Sequence, residues 1–113
     1  MKNYLKRYLD DEIEKYLDVI GAILIVGPKW CGKTTTGEHH AKSIIKLQDK
    51  DKIKSYLKWA DIKPSKLLEG EKPRLIDEWQ IAPVLWDTVR NSVDELGGEG
   101  LYILTGSTIV EDS

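Results

Sequence analysis

Cysteine is nearly absent from this chain: Cys31 stands alone among 113 residues. A single cysteine excludes an internal disulfide and favours a reducing compartment. No apolar run approaches about 18 residues, which excludes an ordinary membrane-spanning helix. The opening MKNYLKRYLDDEIEKYL lacks the continuous apolar centre of a secretion signal. Excess charge is scarce as well. Seventeen Lys and Arg against 19 Asp and Glu leave −2, and no basic stripe with interleaved aromatics appears, so nucleic acid is not indicated as a partner. Arginine occurs three times, as Arg7, Arg74 and Arg90. There is no internal repeat or low-complexity tract. What remains, 41% hydrophobic and 32% charged residues, describes a globular chain with enough length for one real core. Residues 1–113 are therefore expected to form one domain, and the cytoplasm is its simplest location.

Hydrophobic periodicity orders that domain. Ile13, Tyr16, Leu17 and Ile20 fit one helix face, with Asp11 and Glu14 placed like a capping box and Gly21 as the stop. AILIV, residues 22–26, is apolar on both faces, as in a buried central strand of a parallel sheet. A helix is expected over 33–42, a short strand at SIIKLQ, and two helical pieces between Asp49 and Gly70 broken near Pro64. RLIDEW reads as the next strand. Pro83 then opens a helix whose apolar stripe is Leu85, Val89, Val93 and Leu96, and Gly97-Gly98 ends it. LYILT is the last strand. The order β-α-β-α-β-α-β predicts an α/β fold with a mainly parallel sheet and flanking helices.

GPKWCGKTTT, residues 27–36, is the most specific signal in the chain. Gly27 and Gly32-Lys33-Thr34 satisfy G-x-x-x-x-G-K-S/T, after a buried strand and before a helix. Unpaired N–H groups of a first helical turn and the helix dipole favour an anion there, and glycine lets the backbone curl around phosphates. Gly27, Pro28, Lys29, Trp30, Cys31, Gly32, Lys33, Thr34 and Thr35 are thus the candidate nucleotide cradle. Lys33 suits the β- and γ-phosphates, the Thr34 hydroxyl suits Mg²⁺, and the Thr35 N–H suits the α-phosphate. The plainer alternative is a strand–turn–helix with a surface lysine. Cys31 lies near a helix start and two lysines, yet no histidine or acid is placed to activate it, and it reads as a bystander. His39 and His40, adjacent on a helix, point in different directions and receive no role. Trp30, Trp59, Trp79 and Trp86 read as core or interface anchors; Trp30 alone adjoins the loop.

PRLIDEWQ supplies acids at the carboxyl end of a strand, where open parallel sheets bind ligands. Asp77 is the candidate for holding Mg²⁺ through water, and Glu78 the candidate base for the attacking water. Neighbouring strand residues point to opposite faces, so both can act only if the strand ends there. The alternative is that the pair merely terminates the strand. LYILTGS ends in hydroxyls, and Thr105 or Ser107 is placed to touch a γ-phosphate or the water; a simple strand-to-turn transition fits the same residues.

Taken together, GAILIVGPKWCGKTTT, KPSKLLEGEKPRLIDEWQIAPVLWDTVRNSVDE and LYILTGS resemble the N-terminal ATPase module of a bacterial and archaeal family of AAA-type P-loop ATPases. Members commonly carry a C-terminal domain of unknown function. The resemblance covers nearly the whole chain. It implies a three-layer P-loop NTPase core of strand order 5-1-4-3-2, with ATP and Mg²⁺ as ligands. By position, Lys33 and Thr34 match the Walker A residues, Asp77 and Glu78 the Walker B pair, and Thr105 the sensor position. In that family a further strand, a helical lid and another domain would follow, so a fragment or truncated product is expected here. AILIV would then lie at an open edge unless STIVEDS or another chain covers it, and such an edge invites self-association. No arginine finger is assignable; Arg74 and Arg90 are expected to make surface pairs. The function implied is ATP binding, with Mg²⁺-dependent hydrolysis in the full-length protein and weak or absent turnover in this chain. A non-catalytic nucleotide-binding interaction module is the alternative. A small P-loop phosphotransferase fits less well, because no arginine-rich lid appears.

Overall fold

Strands β1 (Ala22–Gly27), β2 (Ser43–Lys46), β3 (Arg74–Asp77) and β4 (Tyr102–Ser107) form one sheet in the order β1-β4-β3-β2. Each neighbouring pair is parallel. This is a computed structural model, and it describes residues 21–27 and 33–107. The helix expected around Ile13–Ile20, the loop residues 28–32 and the tail 108–113 lie outside the described residues. Helix α1 (Lys33–His40) joins β1 to β2. Helix α2 (Ile53–Ile62) and a 3₁₀ turn, Pro64–Leu68, join β2 to β3. A second 3₁₀ turn, Trp79–Ile81, and helix α3 (Val84–Leu96) join β3 to β4. The α/β, mainly parallel architecture expected from the sequence is the one observed, and it is that of a P-loop NTPase-like core.

Two apolar clusters hold the layers together. Ile25, Leu75 and Ile103 face α1, with Ile23 and Ala41 packed beside them. On the other face, Ile45, Leu67, Ile76, Leu85, Val89 and Leu104 belong to a larger core. Tyr102 to Gly106 are buried in succession, the pattern of a strand covered on both faces. Full burial of a side chain such as Leu85 is worth about 1.5–3 kcal/mol. The composition of AILIV suggested a central strand, but β1 pairs with β4 only, and among the described residues its other edge has no partner strand. Leu24 and Val26 on it are exposed.

Two expectations are corrected. The stripe on α3 stops short of its last residue: Leu85 and Val89 are buried, but Leu96 is 59% exposed. Gly97 caps the helix in the left-handed region at φ 64, its N–H bonded to Val93 O, and the chain turns away before Leu96 reaches the sheet. A residue without Cβ adopts that conformation without strain. Arg74 makes no surface ion pair. It is half-buried, donating from Nε to Leu67 O at 2.9 Å and from Nη1 to Ser43 Oγ at 3.2 Å, so it ties the 3₁₀ turn to β2. Burial holds its pKa below the ordinary arginine value. Arg90 does lie on the surface, 3.8 Å from Asp87.

Candidate functional site

The carboxyl ends of β3 and β4, the start of α1 and the turn after β2 meet at one carboxylate. Asp77, the last residue of β3, is fully buried. Its Oδ1 accepts from Thr34 Oγ1 at 2.9 Å and from Thr105 Oγ1 at 2.5 Å. Its Oδ2 accepts from Gln48 Nε2 at 2.5 Å. Three donors from three elements surround the anion, which is the condition for burying a carboxylate at tolerable cost. The register explains the third donor. Lys46 stands opposite Asp77, Leu47 N–H bonds to Asp77 O at 3.3 Å, and Gln48 follows directly.

Glu78 escapes the strand geometry that would have pointed it away from Asp77. The strand ends at Asp77, and Glu78 adopts φ 61, ψ 56 in the left-handed region. For a residue with a side chain this conformation costs about 1–3 kcal/mol, and such strain gathers at functional sites. The hydrogen bond from Glu78 N–H to Thr105 Oγ1, 3.0 Å, helps to hold it. Its carboxylate Oε2 accepts from Ser107 Oγ at 2.7 Å. Ser107 in turn donates its N–H to Gln80 Oε1 at 3.1 Å. Gly106 allows this close approach of β4 to the second 3₁₀ turn: a Cβ there would lie 2.9 Å from Trp79 Nε1 and 3.1 Å from Gln80 Oε1.

Thr105 touches both strand-end acids. It is fully buried, its proton is given to Asp77, and its oxygen receives the Glu78 N–H. Thr105 positions both acids. Ser107, the other hydroxyl considered, is the one in contact with the Glu78 side chain. Gln48 and Gln80 were not singled out by the sequence, although both follow the ends of strands at the ligand-binding edge of the sheet.

Of the other candidates, Gly27 ends β1 and Lys33 begins α1. Thr35 is exposed in the first turn of α1. Pro28, Lys29, Trp30, Cys31 and Gly32 lie outside the described residues. His39 and His40 are at the far end of α1 from Thr34. The assembled groups are all oxygen donors: the Thr34 hydroxyl and the Asp77 and Glu78 carboxylates. Among the described residues no group of three or more His, Cys, Asp or Glu could hold a metal ion. One carboxylate and one hydroxyl, the latter following the G-x-x-x-x-G-K sequence, fit Mg²⁺, which takes few protein ligands and completes its shell with water and other oxygens.

A cavity of about 460 Å³ lies at the opposite end of the strands, lined among others by Leu68, Lys72, Ser92 and Tyr102. Several of its polar groups are already paired. Lys72 Nζ donates to Leu68 O and Gly70 O, and the Ser92 and Tyr102 hydroxyls are 2.7 Å apart. Burial, and then the neighbouring Arg74, hold the Lys72 ammonium below its ordinary pKa of 10.5. Nothing there matches the convergence around Asp77.

A parallel sheet with paired acids at its carboxyl edge, facing the helix that follows its first strand, is a P-loop NTPase-like arrangement. A family model described as an AAA domain matches residues 20–111, and the chain belongs to that family of nucleotide-binding, ATPase-like domains. Comparison with curated proteins and with solved structures finds no match. Among the described residues no helix is long and apolar enough to cross a membrane.

Proposed function

We propose that this chain binds ATP with Mg²⁺ at the carboxyl edge of the sheet and carries the hydrolytic residues of an ATPase. The observation that carries the proposal is the 2.9 Å hydrogen bond from Thr34 to Asp77. It joins the end of the phosphate-loop sequence to the strand-end acid 43 residues later. In this scheme the backbone of residues 27–33 and the Lys33 ammonium bind the phosphates. Thr34 Oγ1 and Asp77, the latter through water, hold the metal. Bound Mg²⁺ would neutralise charge developing on the phosphate oxygens. Glu78 orients the attacking water and accepts its proton. Thr105 holds the Asp77 carboxylate and the Glu78 main chain, and Ser107 holds the Glu78 carboxylate until it is used.

Neither arginine among the described residues serves this site. Arg74 bonds at the amino end of β3, and Arg90 lies on the surface of α3. An arginine supplied to a phosphoryl-transfer site is worth about 10³ to 10⁵ in rate, so binding without rapid turnover is expected of the isolated chain. ATP affinity with Mg²⁺ and phosphate release without any added acceptor test the scheme. Lys33→Ala should lose about 1.5–3 kcal/mol of binding, the worth of charge-assisted hydrogen bonds. Glu78→Gln should bind as tightly as the wild type and lose its turnover. Unchanged affinity in Lys33→Ala would refute the nucleotide site. Binding with thermal stabilisation but no turnover in any sample would instead favour a non-catalytic nucleotide switch.

A further inference from the structure

Helix α2 borders β2 at one edge of the sheet, and α3 reaches Leu24 of β1 at the other. The charges at these two edges are opposite. Residues 46–66 hold seven lysines and three aspartates, a net of +4. Residues 84–99, which contain α3, hold Asp87, Asp94, Glu95 and Glu99 against Arg90 alone, a net of −3. A chain total of −2 therefore conceals one basic edge.

Between α2 and β2 opens a cleft of about 390 Å³, a size that suits a small ligand or one part of a larger one. Lys52, Lys66 and Arg74 line it, and no acidic residue does. Tyr56 and Trp59 of α2 add two aromatic rings, and Trp59 is 40% exposed. Arg74 is held in place by the fold. Its Nε donates to Leu67 O at 2.9 Å and its Nη1 to Ser43 Oγ at 3.2 Å. Its Nη2 has no partner among the described residues, and neither does the Lys52 ammonium. Lys66 has a loose pair with Glu69 at 3.5 Å. Three cations with so little internal compensation favour an anion in the cleft.

The indole of Trp59 links this cleft to a second groove. Lys66 Nζ stands 5.6 Å from the Trp59 ring centroid. Trp59 and Ser55 also border a groove of about 340 Å³ with Lys58 and Ile62, again without an acid. The two grooves make one basic track across α2 with an aromatic ring in the middle.

We propose that this track binds a short single-stranded segment of nucleic acid, its phosphates on Arg74, Lys52 and Lys66 and one base stacked on Trp59. Lysine and arginine neutralise phosphates without regard to sequence, and an exposed indole offers a plane to any unstacked base. A duplex keeps its bases stacked and could not use that plane. An acidic peptide would meet the cations but leave the indole without a planar partner. The site is separate from the one around Asp77, because Arg74 begins β3 and Asp77 ends it. A basic stripe was not legible in the sequence, since Arg74 joins the lysines of α2 only through the fold.

Fluorescence anisotropy of a labelled oligothymidine of about twelve nucleotides, titrated with the 113-residue chain at low salt, tests the proposal. Binding should saturate. Single strands lose about 0.7 log units of affinity per log unit of salt for each phosphate neutralised, so three cations predict a slope of about −2. Lys52→Glu with Lys66→Glu should weaken binding at least about tenfold while melting like the wild type. Lys50→Glu with Lys54→Glu makes the same change in net charge at residues that line neither groove, and should cost less than about threefold. Trp59→Ala should weaken binding about tenfold, within the range of base stacking on an aromatic ring, and Trp59→Phe should restore most of it. Saturating ATP with Mg²⁺ should leave the oligonucleotide bound, so the test stands whether or not the nucleotide site does. Oligouridine run alongside distinguishes RNA from DNA, and binding of either supports the proposal. No binding of either strand overturns it, as does an equal loss in the two lysine pairs or displacement of the strand by ATP. A polyglutamate peptide that displaces the strand at equal charge concentration would overturn it too, and would assign the track to an acidic protein segment.

Discussion

Asp77 and helix α2 place polar residues under opposite regimes. Around Asp77 three donors converge on a carboxylate that water does not reach. On α2 the lysines stand in solvent beside Leu57, Trp59 and Ile62, and nothing in the helix is buried. In the first region each group is fixed by what it bonds, so losing one partner strands the others in a low-dielectric interior. In the second, Tyr56 and Ala60 pack against the core, and stability is almost indifferent to the side chains on the outer face. Polarity of sequence alone does not separate the two regimes; burial and pairing do.

That contrast can be broken at its strong end first. Ile76, fully buried beside Asp77, should cost about 2–5 kcal/mol of stability when changed to alanine, through lost burial and the cavity left behind; chemical denaturation measures it. Thr105→Val should come next. It keeps the shape but leaves the Glu78 N–H without its acceptor and Asp77 short of a donor, a loss of about 1–3 kcal/mol. Phosphate release should fall with it, and Thr105→Ser should restore both. The smallest effect is expected on α2, where Leu57→Ala should stay within about 0.5 kcal/mol of the wild type, as exposed substitutions do. A Leu57→Ala loss as large as that at Ile76 would erase the distinction between the two regions.

Much of this fold could be read from the amino-acid string, because its signals are local. The apolar runs AILIV, RLID and LYILT became β1, β3 and β4, and Pro83 and Gly97 bracket α3 as their backbone preferences dictate. The meeting of Thr34 with Asp77 was implied by a loop motif and a strand-end acid. Three things were not legible. Gln48 and Gln80 carry neutral amides that belong to no motif, and the role of Gln48 follows from the β2–β3 register, which sequence does not print. The side-chain partners of Thr105 depend on the left-handed turn at Glu78, a conformation no propensity assigns to glutamate. The charge contrast between α2 and α3 vanished into a chain total of −2. It emerges once the folded chain sets those helices at opposite edges of the sheet.

The backward bend at Glu78 has one more consequence. Because its amide is pinned to Thr105, the main chain at this residue is anchored independently of the side chain. A departure of the carboxylate from Ser107 is then a rotation about the side chain's own bonds. Strand, sheet and helix can stay still while the acid changes partners, so a catalytic stroke at this position would leave no trace in the backbone.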